Sequence, residues 1–194
     1  MLKNPIPPSA LNSHQPQAQT PVPPLTLECH SQGFTGRDQV LVEEGSDTIM
    51  FYYDHHSGFG GWSSELKAGG PEGPIVCRAK KGWTSDFKVQ LPDGREADCV
   101  KTGMMSVTHE FVSPTSGTRY KWKNVGIPGS GTELALADLT IPNEQRIVAT
   151  WDERSTWSRK NGILRLSRDY MHELEVVCTT SLAMYALERA RQGK

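Results

Sequence analysis

The chain has 194 residues, with 21 basic and 22 acidic side chains and a formal net charge of −1. This length suffices for one domain with its own core plus a tail. A charge near zero excludes a global attraction to nucleic acid or membranes, so such a partner would need a local patch. The four cysteines, at positions 29, 77, 99 and 178, share no CxxC spacing, and we expect reduced core thiols.

The first 26 residues are rich in proline, glutamine, serine and asparagine. This composition buries too little apolar surface to offset its ordering entropy, so we expect residues 1–26 to be a disordered tail. The domain itself is expected from about residue 40 to 192. No apolar leader segment and no Asn-x-Ser/Thr sequon is seen, which favours a cytoplasmic or nuclear protein, with peripheral membrane attachment as an option.

Alternation of apolar and polar residues begins after about Val40 and is typical of β-strands. Residues 48–53 form a β-branched and aromatic run that predicts a buried strand, and it leads into a glycine-rich loop at 58–62. Alternation continues at 75–80 and 86–91. Each of these segments is expected to face the core on one side and water on the other.

Turn chemistry divides the following strands. In the Leu-Pro-Asp-Gly tetrad at 91–94, proline fixes φ at the first central position of a turn, and glycine readily adopts the left-handed conformation that a turn requires. Residues 97–101 should therefore return as the second strand of a hairpin. A second turn at 113–117 leads into a strand at 118–123. The strand before that turn is expected to point inward at Met105, Val107, His109 and Phe111.

Three further strands complete the pattern. Their predicted inward residues are Leu134 and Leu136, then Ile147, Ala149 and Trp151, then Leu164 and Leu166. Nine to eleven short strands with this spacing are typical of a barrel or a sandwich.

The run from Val176 to Leu187 carries no charge and predicts a buried helix at about 170–191, with Asp169 as its N-cap. The run spans about 18 Å, too short for a hydrocarbon core of about 30 Å. A helix that is apolar nearly all round must be enclosed by protein. We therefore predict a mainly β protein, a closed antiparallel barrel around a central C-terminal helix whose core residues are Val176, Val177, Cys178, Leu182, Met184 and Leu187.

Several segments carry a resemblance to a known family. They are residues 120–123 (YKWK), 133–136 (ELAL), 146–151 (RIVATW), 160–166 (KNGILRL) and 174–184 (LEVVCTTSLAM). In these segments the chain resembles the tubby C-terminal-like superfamily, which includes tubby proteins, plant LURP-one-related proteins and phospholipid scramblases, and is most similar to small fungal tubby-like proteins. The resemblance implies a twelve-stranded barrel threaded by a terminal apolar helix. Relatives sharing such a fold differ in activity.

Basic residues suggest a candidate binding surface. Strand periodicity places Arg119, Lys121 and Lys123 on one face and Tyr120 and Trp122 on the other. The three cations are suited to a phosphorylated headgroup, and tubby proteins are similar in binding phosphoinositides through basic barrel residues. A solvated face with no ligand is the alternative. The patch would widen if the hairpin carrying Arg78, Lys80, Lys81 and Lys88 adjoins it.

Metal and catalytic signals are weak. Asp54-His55-His56 is the densest group of ligand types, but neighbouring strand residues point to opposite faces, so we expect a loop rich in His and Gly rather than a metal site. His109 is expected to be a core histidine. No nucleophile elbow, phosphate-binding glycine loop or Cys–His signature occurs, so neither an enzyme nor a cofactor is expected.

Three function classes follow from these patterns. The first is a non-enzymatic binding module that contacts anionic phospholipid headgroups. The second is a structural or protein-interaction protein with no lipid role. The third is a membrane-inserted scramblase anchored by the terminal helix, which the short uncharged run and the flanking Glu175 and Glu188 disfavour. No nucleic-acid partner is expected.

Overall fold

The computed structural model describes residues 22–32, 38–58, 60–103, 108–127, 131–141, 144–153 and 160–193. Most of the expected tail therefore lies outside the described residues, as do Met105 and Val107 of the predicted inward face. Within the described ranges the chain is mainly β.

Twelve antiparallel strands in the described part of the chain form a closed barrel in which neighbours in sequence are neighbours in space. The predicted fold class is thus confirmed. The strands are β1 Leu25–Gln32, β2 Asp38–Glu43, β3 Ile49–Gly58, β4 Gly61–Ala68, β5 Ile75–Lys81, β6 Phe87–Gln90, β7 Glu96–Lys101, β8 His109–Val112, β9 Arg119–Asn124, β10 Glu133–Asp138, β11 Arg146–Glu153 and β12 Lys160–Leu166. A 3₁₀ segment, Arg168–Glu173, and one helix, α1 Leu174–Arg191, follow.

The domain begins earlier than predicted. Strand β1 starts at Leu25 and closes the barrel by pairing with β12 on one side and β2 on the other. The domain start predicted near residue 40 therefore falls inside β2, after the barrel has already begun. Leu25, Leu27 and Cys29 alternate as buried residues, but the neighbouring prolines and the polar His-Ser-Gln end obscured this pattern in the sequence.

A bulge changes the inward face of β11. Leu136 pairs with Ala149 and Ala137 pairs with Ile147, so Val148 is the extra residue. Because the extra residue reverses the alternation, Ile147 points outward and is 44% exposed, contrary to the prediction. Ala149 and Trp151 are buried as predicted.

The helix α1 lies inside the barrel. Residues 176–185 are all buried, including the consecutive polar residues Thr179, Thr180 and Ser181. Among the predicted core residues, Val176, Val177, Cys178, Leu182 and Met184 are fully enclosed, whereas Leu187 is partly buried. All four cysteines are free and buried, as predicted.

The buried hydroxyls bond to the helix and to the wall. Thr180 Oγ1 donates to the Val176 carbonyl at 2.8 Å and accepts a hydrogen bond from the Trp122 indole at 2.9 Å. Ser181 Oγ donates to the Cys178 carbonyl. These bonds satisfy polar groups that would be costly to bury alone.

Substituting Thr180 should reveal the bond to Trp122. Thr180→Val leaves the buried indole N–H without its acceptor, and we expect the free energy of unfolding to fall by about 1–2 kcal/mol. Thr179→Val is the matched control, because Thr179 Oγ1 has no hydrogen-bond partner in the described structure, and it should be neutral or slightly stabilising. Urea unfolding measures both; equal losses would contradict the assignment.

The two ends of the barrel are named from the direction of α1, which begins at the entry end and finishes at the exit end. At the entry end, Ser113 Oγ donates to Glu173 Oε2 at 2.6 Å and Tyr170 Oη donates to Asp138. At the exit end, Tyr185 Oη donates to Glu153, the last residue of β11, at 3.4 Å. The last residues of β1, β3, β5, β7, β9 and β11 all lie at this exit end, since the barrel is antiparallel throughout.

The start of the helix also differs from the prediction. The residues from Arg168 to Glu173 form a 3₁₀ segment, so α1 starts at Leu174 and Asp169 is not its N-cap. Asp169 instead pairs with Arg146 at 2.7 Å, which attaches the 3₁₀ segment to the start of β11. Over the described ranges, no helix is long and apolar enough to span a bilayer.

Candidate functional site

The outer face of β9 has the predicted side-chain directions. Tyr120 and Trp122 are buried in the core, while Arg119 is exposed and Lys121 and Lys123 are half-buried on the outside. Three cations therefore do share one face of the strand.

Two of these three cations share one carboxylate, and the third bonds to a neutral amide. Glu110 on β8 lies between Arg119 and Lys121 and binds both, with N–O distances of 2.6 and 3.0 Å. Partial burial opposes ionisation of Glu110, but the hydrogen bonds from Lys121 and Arg119 outweigh it and hold its pKa below the usual range. Lys123 Nζ donates to Gln145 at 2.9 Å. The face that the sequence predicted to be the most basic thus has a counter-ion, Glu110, on the neighbouring strand.

The second group of predicted cations lies elsewhere. Arg78, Lys80 and Lys81 are on β5, four strands from β9 in the barrel order. Four strand spacings amount to about 19 Å along the barrel wall. The intervening strands carry Glu96 and Asp98, both within 4 Å of Lys88. The condition for one wide patch, that this hairpin adjoins the face of β9, is therefore not met.

The β5 cations differ in their surroundings. Arg78 pairs with Glu65 at 3.1 Å. Lys80, by contrast, has no ion pair among the described residues, and Lys81 Nζ donates only to the Gly82 carbonyl there. Both lie at the exit end, where β5 terminates.

A third lysine at this end was not predicted from the sequence. Lys101 is the last residue of β7, two strands from β5, and in the part of the chain that the structure describes its side chain has no ion pair. We call Lys80, Lys81 and Lys101 the exit-end lysines. Two strand spacings place β7 about 10 Å from β5 along the wall.

Cations at the entry end are mostly paired. Arg95 binds Asp93 at 2.7 Å, and Arg146 binds Asp169 at the same distance. Arg168 lies 3.8 Å from Glu43. At the exit end, by contrast, no ion pair is found for Lys80, Lys81 or Lys101 among the described residues, and the nearest carboxylate contact is that of Asp86 with the Lys101 backbone N–H.

Two shallow cavities lie beside the exit-end lysines. One, of about 380 Å³, is lined by residues 56–58, 60–63 and 80–83. The other, of about 410 Å³, lies on the outer face of β4, β5 and β6. His56, Ser63 and Lys80 line both cavities, so Lys80 stands at the boundary between them.

Trp83 is the most exposed large apolar side chain of the described residues, at 78%. It follows Lys80, Lys81 and Gly82 in the loop after β5. Its indole ring lies against Gly60, in the loop after β3, so closely that a Cβ on Gly60 would overlap the ring. The contiguous Lys-Lys-Gly-Trp sequence is the signal from which this site could have been found.

The Asp54-His55-His56 group lies in β3, not in the loop predicted for it. His55 stacks on Tyr53 and packs near Trp62 on the inner side, and His56 is exposed and lies 3.0 Å from Asp54. Alternation along the strand separates the two imidazoles. No group of three metal-ligand side chains is found within the described ranges.

His109 is a core histidine, as predicted. It is 1% exposed, its Nε2 lies 3.0 Å from the Ser85 carbonyl oxygen, and its ring packs near Phe87. Burial outweighs the contact with the Ser85 carbonyl and lowers the pKa of the imidazole. The neutral ring is suited to packing between β8 and the loop before β6.

Comparison with protein-family models, with curated proteins and with solved structures found no match to this chain.

Proposed function

We propose that this protein is a non-enzymatic binding module that reversibly binds anionic phospholipid headgroups through the exit end of its barrel. The observation that carries the proposal is the position of Lys80 and Lys81, which have no ion pair among the described residues, beside the exposed Trp83. The resemblance to tubby proteins adds support for a lipid ligand.

The charge arrangement favours this end over the face of β9. A lysine that is already paired must lose its carboxylate before it gains from a phosphate, whereas an unpaired lysine contributes about 1 kcal/mol near an anionic surface. Arg119 and Lys121 are both bound to Glu110. Lys80 and Lys81 have no such competitor in the described structure and adjoin a cavity open to solvent.

The two surfaces can be compared directly by charge reversal. Lys80→Glu with Lys81→Glu should weaken binding of the full chain to phosphatidylcholine vesicles containing a phosphatidylinositol bisphosphate by at least about 30-fold, since loss of the two cations alone removes about 1 kcal/mol each and the new carboxylates are repelled. Binding by the unmodified chain should weaken as salt rises, because exposed charges are screened over about 10 Å at 0.1 M. Vesicle co-sedimentation over a lipid titration gives the affinities.

The matched control is Arg119→Glu with Lys121→Glu, which makes the same change in charge on β9 and should alter binding by less than about threefold. Glu110→Gln provides the opposite test, since it releases Arg119 and Lys121 and should not strengthen binding. Loss of binding in the β9 variant with retention in the β5 variant would reverse the assignment. No vesicle binding by the unmodified chain would refute the proposed function.

A further inference from the structure

The ring of Trp83 packs against a glycine of a neighbouring loop and lies outside the core. Its ring covers Gly60, whose φ of +85° is a left-handed conformation that favours glycine. The ring remains 78% exposed, so the contact with Gly60 orients the indole without burying it. Two adjacent loops at the exit end thus combine to present one aromatic side chain.

The exit end of the barrel carries both cationic and exposed apolar side chains. Lys80 and Lys81 precede it in the chain and line the same cavity. Ile127, 76% exposed, and Val125, 51% exposed, lie in the segment after β9 at the same end of the barrel, four strands from β5. Cationic and apolar groups therefore face outward together from the exit end.

A bilayer fits this combination better than a soluble anion does. A soluble phosphorylated ligand interacts with the lysines alone and offers no apolar surface to the exposed apolar side chains. A membrane surface is anionic at the headgroups and apolar beneath them, and indole rings concentrate at that boundary.

We propose that Trp83 is an interfacial anchor that inserts below the headgroups when the exit-end lysines contact an anionic bilayer. This inference rests on the proposed lipid binding and adds that the partner is the bilayer surface, not the isolated headgroup. The lysines attract the protein to the surface, and insertion of the ring slows dissociation of the protein from the membrane.

The experiment compares two ligands with one variant. Trp83→Ala should weaken binding to vesicles containing a phosphatidylinositol bisphosphate about tenfold, while binding of the soluble inositol phosphate headgroup changes by less than twofold. Ile141→Ala is the control, since Ile141 is a 56% exposed apolar residue in the loop after β10, at the entry end, and should change neither. Calorimetry with the headgroup and co-sedimentation with vesicles give the two affinities.

Insertion is measured separately by fluorescence quenching with lipids brominated in the acyl chains. The full chain should be quenched on binding, and Trp83→Phe should lose most of that quenching. Equal quenching of the two chains, or equal weakening of headgroup and vesicle binding by Trp83→Ala, would overturn the anchor. In either case the proposed function would still hold if the unmodified chain binds vesicles and Lys80→Glu with Lys81→Glu weakens that binding. Failure of the anchor can therefore be told apart from failure of the proposed lipid binding.

The position of Gly60 supplies a second variant. Gly60→Ala should displace the ring and change the fluorescence of Trp83, because the new Cβ occupies the space of the indole. Gly69→Ala is matched in backbone strain, with a φ of +70°, but nothing lies within 4 Å of its added Cβ. Weaker vesicle binding in the first variant alone supports the anchor, and equal binding by both contradicts the role of the Gly60 contact.

Discussion

Leu182→Ala should lower the free energy of unfolding by about 3–4 kcal/mol, within the range of about 2–5 kcal/mol for deleting a fully buried leucine side chain. Leu182 is 1% exposed, in the middle of α1 and enclosed by the wall of the barrel. The surrounding strands are held by pairing on both sides, so they can close only part of the cavity. Chemical denaturation monitored by circular dichroism measures the loss.

Leu187→Ala is the control for that substitution. It removes the same atoms from the same helix, but Leu187 is only partly buried near the exit end. We expect a loss below about 1.5 kcal/mol, since less apolar surface is returned to water. Similar losses at the two positions would contradict the placement of the helix axis inside the barrel.

Gly162→Ala should cost up to about 3 kcal/mol, the upper part of the range for overpacking a core. Gly162 lies on β12, and a Cβ there would overlap the ring of Trp151 on β11. That ring is 1% exposed and packs near Tyr185 of α1, with ring centroids 5.1 Å apart, so it has little room to withdraw. The near-ultraviolet circular dichroism of the tryptophans should change together with stability.

Gly58→Ala is the matched control in β3. Nothing lies within 4 Å of its added Cβ, and its φ is not in the left-handed region. Alanine reduces the freedom of the unfolded chain, so this variant should be neutral or more stable by up to about 1 kcal/mol. A stability loss at position 58 equal to that at 162 would show that strand geometry, not the tryptophan ring, requires glycine.

The β9 cations show which part of a charged surface a sequence pattern can predict. Periodicity indicates correctly that Arg119, Lys121 and Lys123 share a face, because side chains alternate along a strand. It does not show that Glu110, nine residues before Arg119, is paired across the hairpin and forms ion pairs with two of them. Lys101 was missed for the same reason, since its relation to β5 depends on the order of strands around the barrel.

The sequence by itself determined the fold class of this protein. A terminal helix apolar on all sides, after many short alternating segments, requires β-structure to enclose it, because buried apolar residues and backbone hydrogen bonds must be satisfied together. Local patterns also determined which side of most strands faces the core.

Only the tertiary structure decided which strands are neighbours, where the bulge at Val148 reverses the alternation, and that β1 closes the barrel. It also decided which cations remain without a carboxylate at the exit end. The physical reason is that pairing between strands and between charges depends on distances through space, and these arise from closure of the whole barrel rather than from any local run of residues.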